Sequence, residues 1–393
     1  MASKLSDICG YAKGKTAVAG LTNQTYISTE NMIPNKGGIT TATTLPSSEY
    51  TQAYIKDDVL VSNIRPYFKK IWSAECDGGC SNDVLVFRAV EGVDPTFLYY
   101  VLADDNFFNY AMATSKGTKM PRGDKSAIME YVVPDFDIET QRKIGTLLRD
   151  IDQKIMVNCK INDNLQQQLA TVYKSWYQDF SQATDTDLIE TTYGLIPKGY
   201  RYVLLGDLCQ SVSVTHKFNK EKLIFLNTGD IENGHFLHSN FMSVKEMPGQ
   251  AKKTIAPRDI LYSEIRPINR HFAYVNFPSD DYVVSTKLMV IRSKGIDSRR
   301  LYNYLTSEEI INELQHQAET RSGTFPQIRF DNVSRLPILI ADDKTERFFI
   351  ELLHTVYDQI EHINSENKRL VAIRDALLPK LMSGEIDVSD IQL

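Results

Sequence analysis

From Thr140 to about Phe180, apolar residues recur on a seven-residue wheel. The inward positions read Ile144, Leu148, Ile151, Ile155, Asn158, Asn162, Leu165, Leu169, Val172 and Trp176. Adding 205 to each number gives a second seam in the same phase: Phe349, Leu353, Val356, Ile360, Ile363, Asn367, Leu370, Arg374, Leu377 and Leu381. A sustained seam of this period predicts a helix with a partner helix. Each of the two is the obvious partner for the other. Asn162 and Asn367 fall on the same slot. A buried Asn there either fixes register, because a slipped pairing strands its amide, or marks a solvated stretch. Arg374 takes the slot that Leu169 holds in the first copy, either as a surface side chain or as a feature of one helix end. A helix from Thr140 to Phe180 is roughly 60 Å long at about 1.5 Å per residue, which suits a spacer.

The rest of the chain is also written twice. Short alternating segments at Asp58–Pro66 and Asn82–Phe87 predict strands. Asp94 followed by Pro95 predicts a capped helix running to Ala113. A loop containing Gly117-Thr118 and Pro121 comes next, then a strand-like Glu130–Pro134. After Arg201 the order returns. Leu205–Cys209 echoes Leu5–Cys9, and Arg258–Pro267 echoes Asp57–Pro66. Asp297–Gln317 echoes the Asp94 helix, Ser322–Pro326 echoes the Gly-Thr loop, and Arg335-Leu336-Pro337 echoes Val132-Val133-Pro134. Five matches in one order identify a tandem duplication with diverged contents. The polar stretch Gln182–Lys198 reads as a linker. Being short compared with the helices, it favours antiparallel pairing.

The expected fold is α/β mixed (α+β): two globular domains separated by a pair of long antiparallel coiled-coil helices, with a pseudo-two-fold from the duplication. The expected boundaries are 1–139 for the first domain, 140–181 for the central helix and 182–199 for the linker. The second domain covers 200–343, the C-terminal helix 344–384 and a tail 385–393.

Composition is that of an ordinary globular protein. No apolar run reaches bilayer length, and residues 1–20 lack the charged start and apolar block of a signal peptide. Five scattered cysteines point to a reducing cytoplasm. The net charge of −6 excludes a protein that is basic throughout, but not one with a basic face. No catalytic constellation stands out. Gly14-Lys15-Thr16 fails as a phosphate loop because Cys9 stands where a Gly is needed. No dinucleotide-binding glycine pattern follows a strand. The amino-methyltransferase Asn-Pro-Pro-aromatic tetrad is absent. Cys76 and Cys80 could form half of a zinc site, but the second copy lacks both. Asp342-Asp343 reads better as a helix cap than as a nuclease acid pair.

The repeated order Asp-Ile/Val-Leu…Ile-Arg-Pro, Gly-Thr…Pro, strand into Pro, then a long helix, resembles the specificity subunits of Type I restriction–modification enzymes. The ending Ala376–Ile386 resembles that family's C-terminal helix. The resemblance covers both halves, and its specificity lies in the twice-repeated order rather than in any one motif. It implies two target-recognition domains, each reading half of a split asymmetric site in double-stranded DNA. It also implies a spacer that docks two methyltransferase subunits, with motor-nuclease subunits joining for cleavage. S-adenosylmethionine, ATP and magnesium would belong to those partners, and this chain would be non-catalytic. The competing reading is a two-headed protein-interaction adaptor with no DNA role.

DNA recognition calls for Lys and Arg on phosphates and Arg, Asn or Gln on base edges. Residues 1–137 hold 13 Lys+Arg against 16 Asp+Glu, and residues 200–342 hold 18 against 16, so a basic face must be local. The candidates in the first domain are Lys69, Lys70, Lys116, Lys119, Arg122 and Lys125. Those in the second are Lys217, Lys220, Lys222, Arg266, Arg270, Arg321, Gln327 and Arg329, with Lys252 and Lys253 as a further run. Base-reading residues belong in diverged segments, which favours the Gly-Thr loops. Arg65 and Arg266 sit in the shared frame and read equally well as structural. The candidate helix-pairing residues are Ile144, Leu148, Ile151, Ile155, Asn162, Leu165 and Leu169, with Phe349, Leu353, Val356, Ile360, Asn367, Leu370 and Leu377.

Overall fold

A computed structural model describes residues 3–117, 119–181, 187–321 and 325–389. The chain divides into two compact units. The first comprises Met1–Ile161 and His362–Leu393, the second Asn162–Glu361. Each long helix, Ile138–Tyr177 and Asp343–Met382, therefore contributes one segment to each unit.

In the first unit a four-stranded antiparallel sheet runs Cys9–Tyr11, Val84–Ala89, Val59–Ser62, Ile71–Ser73. In the second unit the same order recurs as Cys209–Val212, Leu288–Ser293, Ile260–Ser263, Phe272–Tyr274. The repeated aspartate of the sequence explains part of this frame. Asp58 is buried and accepts two bonds from Arg88, at 2.7 and 2.6 Å. Asp259 is buried and accepts two from Arg292, at 2.7 and 2.8 Å. Each carboxylate also accepts a backbone N–H three residues upstream, from Ile55 and Ala256. A buried carboxylate is tolerated only when so paired.

The second sheet of each unit differs. In the first unit Tyr26–Ile27, at the edge, runs parallel to Gly78–Cys80. In the second unit the parallel pair is central, Lys222–Leu226 beside Tyr282–Ser285. The frame is held while the second sheet has been rebuilt.

Helices cover the shared sheet. Asp94 caps Pro95–Ala103 by accepting from the Phe97 N–H. The single helix expected to reach Ala113 is two, because extended Asp104 stops the first and caps the second, Asp105–Ala113. The second unit is split likewise into Ser298–Leu305 and Glu308–Arg321. The stretch read as a linker contains a hairpin, Leu188–Thr191 with Gly194–Pro197, closed at Gly194 with φ of 110°. Gly supplies that left-handed backbone; the Gly-Leu-Ile-Pro turn was legible in the sequence, but the strands it joins were hidden by the polar residues around it.

The helix segments pair antiparallel inside each unit. In the first, Asp152 meets Arg374 and Asn158 meets Asn367. In the second, Tyr173 packs on Phe349 while Tyr177 reaches Glu346. As one number rises the other falls. Ile144, Leu148, Leu169, Phe349, Leu353, Val356 and Ile360 are buried, and Ile151, Ile155, Leu165, Leu370 and Leu377 half-buried. Asn367, on the slot equivalent to that of Asn162, bonds Asn158 across the helix pair, and Asn162 is itself buried. Arg374 is not a free surface charge. It crosses to Asp152 at 2.7 Å, and Asp152 also accepts from the Tyr100 hydroxyl at 2.7 Å. Gly145 allows the helix to approach the capped end of Pro95–Ala103, since a Cβ there would lie 3.1 Å from the Phe97 nitrogen.

Asp342 caps the C-terminal helix, accepting from the N–H groups of Lys344 and Thr345. Among the described residues no helix is long and apolar enough to cross a membrane, and no three metal-ligating side chains converge. Cys80 is buried and Cys76 exposed.

Candidate nucleic-acid interface

In each unit a central strand of the shared sheet runs into an Arg-Pro turn. After Val59–Ser62 the chain enters a single turn of tight helix, Pro66–Phe68, bracketed by Arg65 and Lys69 with φ of 51° and 50°. In the second unit Pro267–Asn269 is bracketed by Arg266 and Arg270, with φ of 43° and 55°. Non-glycine residues rarely take this left-handed conformation. Here local bonds hold it. The Arg65 carbonyl accepts from Phe68 N–H and the Arg266 carbonyl from Asn269 N–H, both at 2.9 Å.

The Arg-Pro turn and the Gly-Thr loop are adjoining strips of one surface. Arg65 N–H donates to the Pro121 carbonyl at 2.8 Å, and Ile64 bridges Arg122. Arg266 N–H donates to the Pro326 carbonyl at 3.1 Å, and Ile265 bridges Gln327. Thr118 and Ser322-Gly323-Thr324 lie outside the described residues, as does the side chain of Arg321.

In the first unit this surface gathers Lys69, Lys70, Lys116, Lys119 and Arg122. Most are engaged. Lys69 and Lys36 both reach Asp105, at 2.8 and 2.9 Å. Lys116 pairs with Asp124 at 2.5 Å and Arg122 with Asp83 at 3.0 Å. Hydrogen bonds, led by that of Lys116, hold the Asp124 carboxyl below its usual range. Lys70 donates to the Thr29 carbonyl at 2.6 Å, and burial lowers its pKa. Lys119 is exposed with no ion pair among the described residues. Lys125 opens a short helix, its ammonium 5.9 Å from the Tyr11 ring centroid.

In the second unit Arg266, Arg270 and Gln327 share the corresponding surface. Arg270 pairs with Glu308 at 2.5 Å. Arg329, exposed, precedes the short helix Phe330–Ser334. Lys217, Lys220 and Lys222 belong instead to the rebuilt sheet, on and before Lys222–Leu226, with Lys220 paired to Asp281 at 2.7 Å. Lys252 is exposed on an outer strand of that sheet. Lys253 donates to the carbonyls of Thr286 and Leu288, and burial lowers its pKa.

The sequence reading did not rank Arg65 or Lys36 among the candidates. Lys36 comes from a distant loop whose N–H groups at Asn35 and Lys36 bond the Phe68 and Lys69 carbonyls. The one available signal for Arg65 was the repetition of Ile-Arg-Pro. Its strained backbone could not be foreseen, since Arg is not a residue that favours φ above zero.

The architecture defines a class: a tandem pair of sheet-and-helix units, each with the same Arg-Pro turn beside a basic loop, built on two shared long helices. Residues 197–371 match the family model described as Type I restriction modification DNA specificity domain. The chain is 43% identical over 176 residues to the Type I restriction enzyme HindI specificity subunit of Haemophilus influenzae, a match covering 44% of this chain and 38% of that one. It is 23% identical over 310 residues to the MjaIX specificity subunit of Methanocaldococcus jannaschii, covering 77% and 71%. A Type I restriction–modification S subunit from M. genitalium has the same fold, with a TM-score of 0.57 at 14% identity, covering 97% and 96%. The chain is thus similar to specificity subunits of Type I restriction–modification systems.

Proposed function

We propose that this chain is the DNA-sequence recognition subunit of a Type I restriction–modification complex. Each unit reads one half of a bipartite asymmetric site in double-stranded DNA. The paired helices set the spacing between the halves and dock two methyltransferase subunits, and motor-nuclease subunits join for cleavage. The chemistry, with its S-adenosylmethionine, ATP and magnesium, resides in those partners, and this chain is non-catalytic. The complex acts in the cytoplasm.

The observation that carries this reading is the divided conservation of structure within one chain. The shared sheet, the Asp–Arg pairs and the Arg-Pro turns recur in both units, while the second sheets differ. A duplicated frame with rebuilt contents suits two different half-sites presented in one way. The similarity to Type I specificity subunits supports it.

The test is a methylome. The chain is expressed with the methyltransferase encoded beside it in a methylation-free host, and modified bases are mapped by single-molecule sequencing, with the methyltransferase alone as control. A split motif with a fixed gap, modified only when this chain is present, is the expected outcome. Absence of chain-dependent methylation, with both proteins soluble and associated, would return the adaptor reading. Inserting one heptad into both helices is expected to widen the gap.

A further inference from the structure

The two Arg-Pro turns carry the same charge arrangement. Each has a basic residue on either side of the tight turn, and one of the two is neutralised. Lys69 pairs with Asp105 and Arg270 with Glu308, in both cases the first residue of the second covering helix. The other, Arg65 or Arg266, has no ion pair or side-chain hydrogen bond among the described residues. The Arg65 side chain is half-buried, with its Nε buried and lacking an acceptor. Arg266 is exposed. A donor group without an acceptor calls for explanation, and an anion bound at the solvent-reachable Nη1 and Nη2 atoms of the same guanidinium supplies one.

The backbone sharpens the point. At φ near 50°, Gly or Asn is accommodated at lower cost than Arg. Arg nonetheless occupies the position in both units. The residues inside the turn differ, Tyr67-Phe68 against Ile268-Asn269. The recurring free chemistry at the turn is therefore the guanidinium.

Resting on the DNA-recognition reading above, we infer that Arg65 and Arg266 each clamp a phosphate of the DNA backbone, one in each half-site. A residue held constant in two units that read different base sequences must contact what the halves have in common, which is the sugar–phosphate chain. Guanidinium is suited to this by its planar, bidentate donors. Arg65 and Arg266 would fix how each unit sits on the duplex, leaving base discrimination to the diverged loops beside them.

The experiment uses the full chain assembled with its methyltransferase. Affinity is measured for the duplex carrying the mapped motif and for a scrambled duplex, across a series of KCl concentrations. The variants are Arg65→Asn, Arg266→Asn and the double; Asn keeps the left-handed backbone and removes the charge. Arg65→Gln serves if the Asn variant does not fold, and Arg65→Lys retains the charge. Each single charge deletion is expected to weaken both duplexes by the same factor. It should also make the slope of log affinity against log salt shallower by about 1, and by about 2 in the double. Arg65→Lys is expected to keep the slope, and the methylated motif to stay the same throughout. Unchanged affinity and slope in folded Arg65→Asn and Arg266→Asn would overturn the inference while leaving DNA recognition standing. A motif relaxed at one base would overturn it in favour of base readout. A wild-type complex that does not prefer the mapped duplex would remove the recognition reading itself, and this inference with it.

Discussion

The Asn158 side-chain amide donates to the Asn367 side-chain oxygen at 2.8 Å, joining the two long helices within the first unit. The same Asn158 amide donates to Glu366 at 2.8 Å. Asn158 is almost fully buried, so the bond sits in a region where an unpaired amide is costly. Any shift of one helix along the other would break it.

Asn158→Ala is therefore expected to destabilise the first unit by about 1–3 kcal/mol, the cost of leaving buried polar groups unsatisfied. Asn158→Leu combined with Asn367→Leu should recover the loss, because both partners are then apolar. A double-mutant cycle by thermal unfolding, with hydrogen exchange to localise the effect, checks this. Additive single and double losses would mean that the amides do not interact energetically.

Arg300 is fully buried in the second unit. Its Nε lies 3.0 Å from Glu346, its Nη2 donates to the Leu339 carbonyl at 3.0 Å, and its guanidinium sits 4.5 Å from the Tyr177 ring centroid. The first unit fills the equivalent positions with buried Phe97 and with Gln141, which bonds the Asp94 N–H and Phe136 carbonyl instead. Arg300→Ala removes the buried partner of Glu346, which keeps only the Tyr177 hydroxyl and the Ala341 N–H, and should cost up to about 3–5 kcal/mol. The pair Arg300→Phe with Glu346→Gln, copying the first unit, should cost less than half as much. Calorimetry, with hydrogen exchange confined to residues 162–361, distinguishes the two.

Asp137 and Asp342 cap the two long helices, and both carboxyls are held below their usual range. Asp137 owes this chiefly to the Thr140 N–H and Asp342 to the Thr345 side chain. A depressed native pKa contributes stability above the unfolded value, about 3.9, which is lost as pH falls through the native value. Unfolding midpoints measured from pH 6 down to pH 2 should fall less steeply in Asp137→Asn with Asp342→Asn than in the wild type. Asn retains capping capacity, so the difference should be small at pH 6. Parallel pH curves would show that these caps contribute no linked protons.

Much of the architecture was readable before any coordinates. Heptad periodicity and the constant offset identified two helices and a duplication, because both depend on local spacing along the chain. The caps at Asp94 and Asp342 were legible for the same reason: a cap is a bond across two or three residues. The short linker favoured antiparallel pairing through a simple limit on chain reach.

Other features required the fold. The break at Asp104 follows from one extended residue inside an apolar run. The partner of Asn367 depends on antiparallel register, which a same-slot comparison cannot supply. Arg374 found its role only when Asp152 and Tyr100 came within reach of it and of each other. At the candidate interface, the sequence counted cations but could not tell which were already neutralised. Lys69, Lys116, Arg122 and Arg270 meet carboxylates of their own units, whereas among the described residues Arg65 and Arg266 do not. The sequence by itself determined the repeated elements and the family resemblance, because these are written in spacing and order. Only the tertiary structure decided which charges are free, because neutralisation depends on distances between segments far apart along the chain.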